Sequence, residues 1–427
     1  GDFTYTVTDE ENHKVSIAKA EEATLTGALV VPTSVTEAEV TYAVTSVADW
    51  AVQSQSITSV TIPTSIMSIG NWAFRDCYSL TNISIEDSEN PLSMVAGYFS
   101  PFSADNAYTY ITERNVYIGR NLTLSGESQV FDAITSVEFG PNVTTINSNL
   151  FYQAAKLSSV TIGNGVTTIG DNAFQEAGSN EGVEELVVTM GNGVTSIGES
   201  AFNSCSHLKA VTLPSSLTEI KAYAFQSTGL TRITIPASVT NLGDWAFRDC
   251  YSLANIRIED SSNALSITAG YWSPFSADNA YTYITERNVY IGRNLTLSEN
   301  SSIFDGITSV EFGPNVTTIS QSMFYQATNL SSAAIGSGVT TIGDQAFLGC
   351  SKLTSVNIRE GVTRIGAQAF HSTGLTSVTI PASVMTIGNE AFNFINSLES
   401  VTIEDSETPL TLENSWYGAF QNGDAGG

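Results

Sequence analysis

The sequence predicts a β-rich solenoid, and three observations carry this prediction. A phrase of about 23 residues, Leu-x-x-Val-x-Ile-Pro-x-x-Val-x-x-Ile-Gly-x-x-Ala-Phe, recurs along nearly the whole chain of 427 residues. Its first part alternates between apolar and polar positions, which is typical of a short strand. A Pro or Gly then ends that strand, and a second apolar group follows before the next copy begins. A fixed period of this kind means that each copy buries its apolar face by stacking on the next.

Each copy is expected to form one turn of the solenoid. The Leu-x-x-Val-x-Ile segments form short parallel strands that together make one continuous sheet. The Ile-Gly-x-x-Ala-Phe segment is too short for an independent helix, so we expect a bridge or a 3₁₀ turn there. The leading residues of the copies lie at Ile57, Leu80, Ile134, Leu157, Glu185, Leu208, Leu230, Leu253, Ile307, Leu330, Leu353, Leu375 and Leu398.

A larger duplication overlies the short repeat. Residues 100–125 recur unchanged as residues 273–298, an identity at core and surface positions that indicates recent duplication. The duplication and the repeat pattern predict one continuous solenoid in three parts, namely an N-terminal cap with degenerate repeats (1–56), a first module (57–229), and a second module (230–427) that ends in a C-terminal cap at about 403–427.

Each module is interrupted once by an island, at about residues 86–130 and 259–303, which holds most of the distinctive side chains. Insertions in repeat arrays map to loops on one face, frequently the binding face, and Tyr, Trp and Arg dominate binding hot spots. The alternative is that these rings pack the loop against itself. The candidate binding residues are Tyr98, Phe99, Tyr108, Tyr110, Arg114, Tyr271, Trp272, Tyr281, Tyr283 and Arg287.

The outward position between Val and Ile of each strand is a second candidate surface, and threonine is its commonest residue. Strand propensity and contacts between hydroxyls on neighbouring strands explain such a stripe without any ligand. The functional alternative is a flat, hydroxyl-lined face for a protein or a glycan. We take Thr161, Thr212 and Thr234 as its representatives.

Composition excludes several classes of partner. Asp and Glu outnumber Lys and Arg by 43 to 16, which gives a net charge of −27. This charge argues against binding to nucleic acid, which depends on cationic side chains at phosphates, and against docking on anionic lipid. No apolar run is long enough to span a membrane. No secretion signal is present, so export has to be argued from family resemblance.

The four cysteines are predicted to be free, buried thiols. Cys77, Cys205, Cys250 and Cys350 each follow the repeat phenylalanine by three residues, and no two of them belong to consecutive turns. Slots two turns apart lie roughly 10 Å apart, whereas a disulfide needs Cα atoms within about 7 Å.

No catalytic, metal-binding or cofactor-binding constellation is expected. The adjacent carboxylates, such as Glu86 and Asp87, are better explained as a solvated turn than as a glycosidase pair, which lies across a cleft. The three histidines are far apart in sequence, and no Cys or His pair has metal spacing. No nucleophile elbow, P-loop or dinucleotide fingerprint is present.

The unit SVTIPxSVTxIGxxAFxxCxxL resembles the BspA-like, or Treponema pallidum type, leucine-rich repeats of bacteria. Phe74-Arg-Asp-Cys77-Tyr-Ser-Leu80 and Phe347-Leu-Gly-Cys350-Ser-Lys-Leu353 carry the joint between its copies. The Val-Tyr-Ile-Gly-Arg-Asn islands look like those of cell-surface proteins from Bacteroides relatives. The resemblance implies a leucine-rich-repeat solenoid that is a right-handed, curved superhelix, with the parallel sheet on its concave face and short strands or 3₁₀ turns on its convex face. It also implies export to the extracellular or outer-membrane surface, and adhesion.

The sequence therefore predicts a non-enzymatic, secreted or surface protein that binds a protein or glycoprotein, with host extracellular matrix among the candidates. A monomer without cofactors is expected. One alternative is a glycan-binding module of a carbohydrate-uptake system, with Tyr98, Trp272 and Trp416 as stacking platforms. A structural spacer is a second alternative. A β-helix polysaccharide lyase would need acidic and basic side chains clustered on one sheet face, which the threonine stripe does not supply.

Overall fold

The computed structural model describes residues 2–126, 129–278, 280–413 and 418–420. The chain divides into two compact units, unit 1 (Gly1–Ser216) and unit 2 (Leu217–Gly427). The boundary falls thirteen residues before Leu230, where the sequence pattern begins its second module. Both units are nearly all β, and both consist of parallel strands stacked turn upon turn. The predicted β-rich solenoid class is confirmed.

The front face of unit 1 is one parallel sheet of seven strands, in which spatial order follows chain order. From Ser56–Ile62 onward each strand is a copy of the repeat, in which the apolar positions point into the core and the residue between them is more exposed. The front strands are Thr26–Val30, Ser56–Ile62, Asn82–Ile85, Asn115–Arg120, Ser136–Asn142, Ser159–Thr161 and Val187–Thr189.

The back of unit 1 is built from short strands, of which those outside the island each end a Val-x-x-Ile or Ile-x-x-Ile group. The chain begins with two antiparallel pairs, Phe3–Asp9 with Lys14–Lys19 and Ser34–Glu37 with Val40–Val47. The parallel back strands that follow Val40–Val47 are Ser68–Ile69, Leu92–Val95, Leu122–Ser125, Thr145–Ile146, Thr168–Ile169 and Ser196–Ile197.

Unit 2 repeats the pattern, and one turn of each unit lacks a front strand. These turns are Leu208–Leu213 in unit 1 and Leu353–Ile358 in unit 2, and the second contains Asn357, a residue type that is depleted in strands. The prediction of one continuous sheet is therefore not met here. The front strands are Arg232–Ile235, Asn255–Ile258, Asn288–Arg293, Ser309–Asn315, Ser332–Ala334, Ser377–Ile380 and Ser400–Ile403. The back strands are Glu219–Ile220, Asn241–Leu242, Leu265–Ile267, Leu295–Leu297, Thr318–Ile319, Thr341–Ile342, Arg364–Ile365, Thr386–Ile387 and Thr411–Leu412.

A ladder of stacked phenylalanine rings runs through the core of each unit. The Ala-Phe phenylalanines of successive turns stack nearly parallel, as for Phe174 and Phe202, whose centroids are 5.2 Å apart with an interplanar angle of 7°. Rings with this separation gain contact energy beyond the burial of their area. The ladder accounts for the phenylalanine at a fixed position in the repeat.

Each island contains a complete turn of the solenoid in addition to a loop. Asn115–Arg120 pairs with the front strands on both sides of it, and Phe102 and Phe131 continue the phenylalanine ladder. Asn288–Arg293 holds the same place in unit 2. The alternation of apolar and polar residues in Asn-Val-Tyr-Ile-Gly-Arg is therefore that of a strand. The loops carry a 3₁₀ turn and a short helix each, at Gly97–Phe99 and Ala107–Tyr110, and at Gly270–Trp272 and Ala280–Tyr283.

The four cysteines are free and buried, as predicted. Each thiol donates a hydrogen bond to a backbone carbonyl, for example Cys77 Sγ to Val52 O at 3.1 Å and Cys250 Sγ to Phe225 O at 3.1 Å. Burial raises the pKa of Cys77 to about 11 and that of Cys205 and Cys350 to about 12. These thiols are structural, because a nucleophilic cysteine needs a lowered pKa and access to solvent.

Candidate binding surfaces

An aromatic cluster lies at the surface of unit 1, where the island loop leaves the regular turns. It consists of Trp50, Trp72, Tyr98 and Phe99, and we call it the first aromatic cluster. The 3₁₀ turn Gly97–Phe99 brings Tyr98 and Phe99 beside Trp72, with ring centroids 5.4 and 4.7 Å from it. Trp50 lies on the other side of Trp72 at 4.3 Å. The Trp72 indole donates a hydrogen bond of 2.7 Å to the backbone oxygen of Tyr98, which fixes the loop against the turn before it.

Arg75 adds a positive charge to this cluster. Its guanidinium carbon lies 5.3 Å from the centroid of Trp72 and 5.9 Å from that of Tyr98. It also forms ion pairs with Asp105 at 2.7 Å and Asp76 at 3.3 Å. Desolvation lowers the pKa of Arg75, but hydrogen bonding and attraction to the two carboxylates outweigh it and raise the pKa above its usual value. The charge is therefore permanent and held in a fixed position against the rings.

Unit 2 has the same arrangement with different aromatic residues. The second aromatic cluster consists of Tyr223, Trp245, Tyr271 and Trp272, and Arg248 lies 4.5 Å from the centroid of Trp245. The rings of Trp245 and Trp272 stack at 4.3 Å with an interplanar angle of 26°. Tyr98 and Tyr271 are the most exposed members of the two clusters, at 70% and 65% exposure. Phe99 and Trp272 are each 47% exposed.

A polar pocket adjoins each cluster. The pocket in unit 1 has a volume of about 260 Å³, and Tyr98, Arg75, Asp105, Gln129 and Asp132 are among its lining residues. The pocket in unit 2 has a volume of about 210 Å³. Burial raises the pKa of Asp132 and of its counterpart Asp305, although each accepts a backbone hydrogen bond that opposes the shift.

The pockets hold polar atoms with no hydrogen-bond partner in the part of the chain that the structure describes. These are Gln129 Oε1 in unit 1 and Ser276 Oγ in unit 2. A buried polar atom left without a partner costs free energy.

The predicted tyrosines of the short helices serve mainly to attach the loop. The Tyr108 hydroxyl donates to Gln153 O at 3.2 Å, and Lys156 donates to the backbone oxygen of Tyr108 at 2.6 Å. Tyr110 is exposed but packs edge-on against Tyr78 at 5.3 Å. Tyr283 is placed in the same way as Tyr110, at 5.3 Å from Tyr251. The side chain of Tyr281 and all of Trp416 lie outside the described residues.

Arg114 and Arg287 are not surface residues, and their prediction as ligand contacts is wrong. Each is only 1% exposed. Arg114 donates to the backbone oxygens of Leu80, Phe102 and Asp132 at 3.3, 3.0 and 2.9 Å. Burial lowers the pKa of both arginines to about 10, so both remain charged at neutral pH. They hold the island turn together, because main-chain carbonyls of the loop and of neighbouring turns meet at their guanidinium groups.

Thr161, Thr212 and Thr234 are exposed, as the strand pattern predicts. Thr161 and Thr234 lie on front strands, whereas Thr212 lies in a turn without a strand. Each front sheet forms a shallow trough at the island turn, with a volume of about 300 Å³ in unit 1 and about 420 Å³ in unit 2. The island residues Tyr117 and Tyr290 continue the threonine stripe across these troughs.

The residues missed by sequence reasoning are the ones that complete the aromatic clusters. The island tyrosines were identified, but Trp72, Trp245, Arg75 and Arg248 belong to the ordinary turn before each island. A signal for them is present in the sequence. Tryptophan occupies the position before Ala-Phe only in the turns Asn-Trp-Ala-Phe-Arg and Asp-Trp-Ala-Phe-Arg, each directly preceding an island.

The exposed rings, arginines and pockets of the described residues are features of a binding surface. Among the residues that the structure describes, no group of three or more His, Cys, Asp or Glu side chains could hold a metal ion. Within the same part of the chain, no helix is long and apolar enough to cross a membrane. The cysteines have raised pKa values and are buried, and desolvation lowers the pKa of His371.

The chain belongs to the family of BspA-type leucine-rich-repeat regions. The family model matches in six copies, over residues 32–100, 177–295 and 302–421, which is more than half of the chain. No curated protein matches the sequence. The assignment to the leucine-rich-repeat class therefore rests on the match of the repeats to the family model. Proteins of this class are generally binding modules without enzymatic activity.

Solved structures of bacterial leucine-rich-repeat proteins are similar to this chain. One from Bacteroides ovatus is 19% identical, with 95% of this chain and 89% of that chain covered and a TM-score of 0.41. A leucine-rich cell surface protein from Faecalibacterium prausnitzii is 22% identical, with 95% and 94% covered and a TM-score of 0.29. The pneumococcal vaccine antigen PcpA is 15% identical, with 95% and 97% covered and a TM-score of 0.31.

Proposed function

We propose that this chain is a non-enzymatic adhesion module that is exported to the bacterial cell surface and binds a protein or glycoprotein partner there. The single observation that carries the proposal is the pair of exposed aromatic clusters, one in each unit, with an arginine fixed against the rings. Trp, Tyr and Arg are the residue types that contribute most to binding energy at interfaces. Host extracellular matrix proteins are the first partners to test.

The construction of the clusters supports recognition of a partner. Trp72 and Trp245 are held by hydrogen bonds to the loop backbone, and Arg75 and Arg248 by ion pairs with two carboxylates each. Side chains that are ordered before binding lose little conformational entropy when a partner arrives. Tyr98 and Tyr271 lie at the outer edge of the clusters, so they present apolar faces that a partner can cover.

Glycan binding is the second candidate, and the pockets beside the clusters favour it. Each pocket is lined by an exposed tyrosine ring and by a carboxylate–arginine pair. Tyrosine offers an apolar face with a polar tip, and carboxylates are strong hydrogen-bond acceptors.

One array that carries matrix proteins, mucins and polysaccharides tests both candidates. The double variant carries Tyr98→Ala and Tyr271→Ala. The control is Tyr325→Ala, which replaces an exposed tyrosine outside the clusters. We expect saturable binding to a matrix protein, which the double variant weakens about tenfold or more, as expected for hot-spot residues. The control should bind like the original protein. Surface proteolysis of intact cells tests the location.

The outcomes separate the candidates. Binding to glycans alone, lost in the same double variant, would replace the protein partner with a carbohydrate one. Equal binding of the double variant and the control would remove the clusters as the site. No binding to any member of the array would favour a structural spacer. Protection of the protein from protease on intact cells would contradict surface exposure.

A further inference from the structure

The front trough of unit 2 contains two arginines that unit 1 lacks. Arg232 and Arg257 lie on neighbouring strands, with Arg232 opposite Asn255 and Thr234 opposite Arg257. The corresponding residues of unit 1, 173 positions earlier, are Ser59 and Ser84. The chain has only 16 basic residues in 427. Two of them in one trough are therefore a marked local departure from the acidic surface.

Both arginines are available to a ligand. Arg232 is exposed and has no carboxylate partner among the residues that the structure describes. The Arg257 side chain is 48% exposed, and its only ion pair there is a long contact of 3.4 Å with Asp260. Its guanidinium carbon lies 4.0 Å from the centroid of the Tyr290 ring. Stacking on the ring orients Arg257, while most of its five hydrogen-bond donors stay free.

Of the two arginines, Arg257 is paired with a carboxylate, whereas Arg232 has no carboxylate partner among the described residues. Asp260 already accepts hydrogen bonds from the Tyr290 hydroxyl at 2.8 and 3.0 Å, in addition to its contact with Arg257. Glu311 lies two strands away from Arg257 on the far side of Tyr290. The trough is thus positive at the side of Arg232 and Arg257 and negative at the side of Glu311.

The spacing of the arginines matches an extended peptide. Adjacent strands are about 4.8 Å apart and rise about 3.3 Å per residue, so Cα atoms one strand and two residues apart are separated by roughly 8 Å. Alternate side chains of an extended chain lie on the same face, about 6.6 Å apart. Two carboxylates at alternate positions can therefore each reach one guanidinium, given the length of an arginine side chain.

We propose that the front trough of unit 2 binds an extended acidic segment of a partner protein, with Asp or Glu at alternate positions. Arg232 and Arg257 each take one carboxylate, and the neighbouring Asn255 offers its side-chain amide to the peptide backbone. Arginine suits this role because its planar group can bind a carboxylate through two parallel hydrogen bonds. This site is separate from the aromatic clusters, and its occupation does not depend on them.

Unit 1 supplies a matched control within the same chain. Its trough has Tyr117 and Glu138 at the positions of Tyr290 and Glu311, but serine at both arginine positions. The Tyr117 hydroxyl binds Asp87 at 2.9 Å, as Tyr290 binds Asp260. The two troughs thus share their framework and differ in charge, so unit 1 should not bind the acidic segment.

Fluorescence anisotropy with a labelled alternating Asp-Thr peptide tests the proposal on the full chain. The first variant carries both Arg232→Ser and Arg257→Ser. The second variant carries these two changes and, in addition, Ser59→Arg and Ser84→Arg. We expect the first variant to raise Kd about tenfold or more, and the second to restore binding in unit 1. An Asn-Thr peptide should bind to neither variant nor to the original protein. Added salt should lower the affinity for the acidic peptide, because the contacts are ionic.

Three results would overturn the proposal. One is unchanged affinity in the Arg232→Ser, Arg257→Ser protein with circular dichroism equal to that of the original. Another is equal binding of the Asn-Thr peptide, which would remove the role of charge. The third is failure of the acidic peptide to bind at all; if a polyuronate bound in its place and required the arginines, the ligand would be an acidic glycan. The Tyr98→Ala, Tyr271→Ala protein should bind the peptide normally, which separates this site from the clusters.

Discussion

The island turns of the two units share a buried framework but present different surfaces. Residues 100–125 and 273–298 are identical, and Arg114 and Arg287 donate to three equivalent backbone carbonyls. The surface positions differ at Ser84 and Arg257, which changes the charge of the front trough, and at Phe99 and Trp272 in the aromatic clusters. Interior arginines hold the island in place, so the neighbouring exposed residues can differ between the units and give each surface different binding properties.

The largest expected effect is the loss of a buried arginine. Arg114→Met leaves the backbone oxygens of Leu80, Phe102 and Asp132 without this donor, and Arg287→Met does the same to the corresponding atoms of unit 2. Because each buried acceptor without a partner costs about 1–3 kcal/mol, we expect each variant to lose about 3 kcal/mol or more. Because Arg287 also donates to the backbone oxygen of Cys250 at 3.1 Å, its replacement should cost at least as much as that of Arg114.

The buried thiols allow this loss to be measured in each unit. Cys77 and Cys205 lie in unit 1, and Cys250 and Cys350 lie in unit 2. Pulsed alkylation in increasing urea should label the cysteines of the altered unit at lower urea concentration, since a buried thiol reacts only after opening. Arg359→Met, at an exposed arginine, is the control. Unchanged labelling of Cys77 in the Arg114→Met protein would contradict the structural role of Arg114.

A smaller loss is expected at the glycines beneath the two tyrosines. A Cβ atom at Gly140 would meet the Tyr117 hydroxyl and Asp87, and one at Gly313 would meet the Tyr290 hydroxyl and Asp260. Gly140→Ala and Gly313→Ala should each cost about 1–3 kcal/mol, because the tyrosine and the carboxylate have to separate or shift. Urea denaturation measures the loss.

A second observation makes the glycine test specific. If contact with the tyrosine causes the loss of stability, Gly140→Ala should lower the free energy of unfolding less in a Tyr117→Phe background. The effects of the two changes should then not be additive. Gly182→Ala, at an exposed turn where the new methyl group meets only the tip of the Asn180 side chain, is the control. Additive losses would show that the glycine and the tyrosine act independently.

Most of the fold could be predicted from the sequence, because the residues that form the core recur at the same positions in every turn. The alternating Val and Ile are the core positions, and the phenylalanine before each Cys77-type cysteine is the stacked ring of the ladder. The free thiols followed from turn spacing alone. Stacking of equivalent positions is a local rule that applies equally to all copies, so a single copy is enough to predict the others.

The burial of Arg114 could not be predicted in this way. Its backbone partners lie 34, 12 and 18 residues away, in different turns of the chain. No periodic pattern marks a position where carbonyls from several segments converge, and arginine is almost never fully buried unless it is paired. The extra turn within the island could not be predicted from the repeat either. A loop separates Phe102 from the strand that begins at Asn115, so the two do not have the spacing of a regular copy.

The smallest expected effect concerns the ionisation of the trough tyrosines. Desolvation and the hydrogen bond to Asp87 raise the pKa of Tyr117 to about 12. Desolvation and Asp260 also raise the pKa of Tyr290, but Arg257 opposes this shift because it stabilises the phenolate. We therefore expect Arg257→Ser to raise the pKa of Tyr290 further, and Ser84→Arg to lower that of Tyr117. NMR titration of ring-labelled tyrosine, assigned with Tyr117→Phe and Tyr290→Phe, measures both.

The direction of the pH effect on stability follows from these shifts. A tyrosine that is harder to ionise in the folded state stabilises the fold fully below its unfolded pKa, about 10. For Tyr117 this contribution is lost as the pH rises through its folded pKa of about 12. Tyr117→Phe should therefore flatten the alkaline loss of stability between those values, as measured by urea denaturation. A lower pKa of Tyr290 after Arg257→Ser would show that the cation does not act on this ring, and the charge difference between the two troughs would then lie elsewhere.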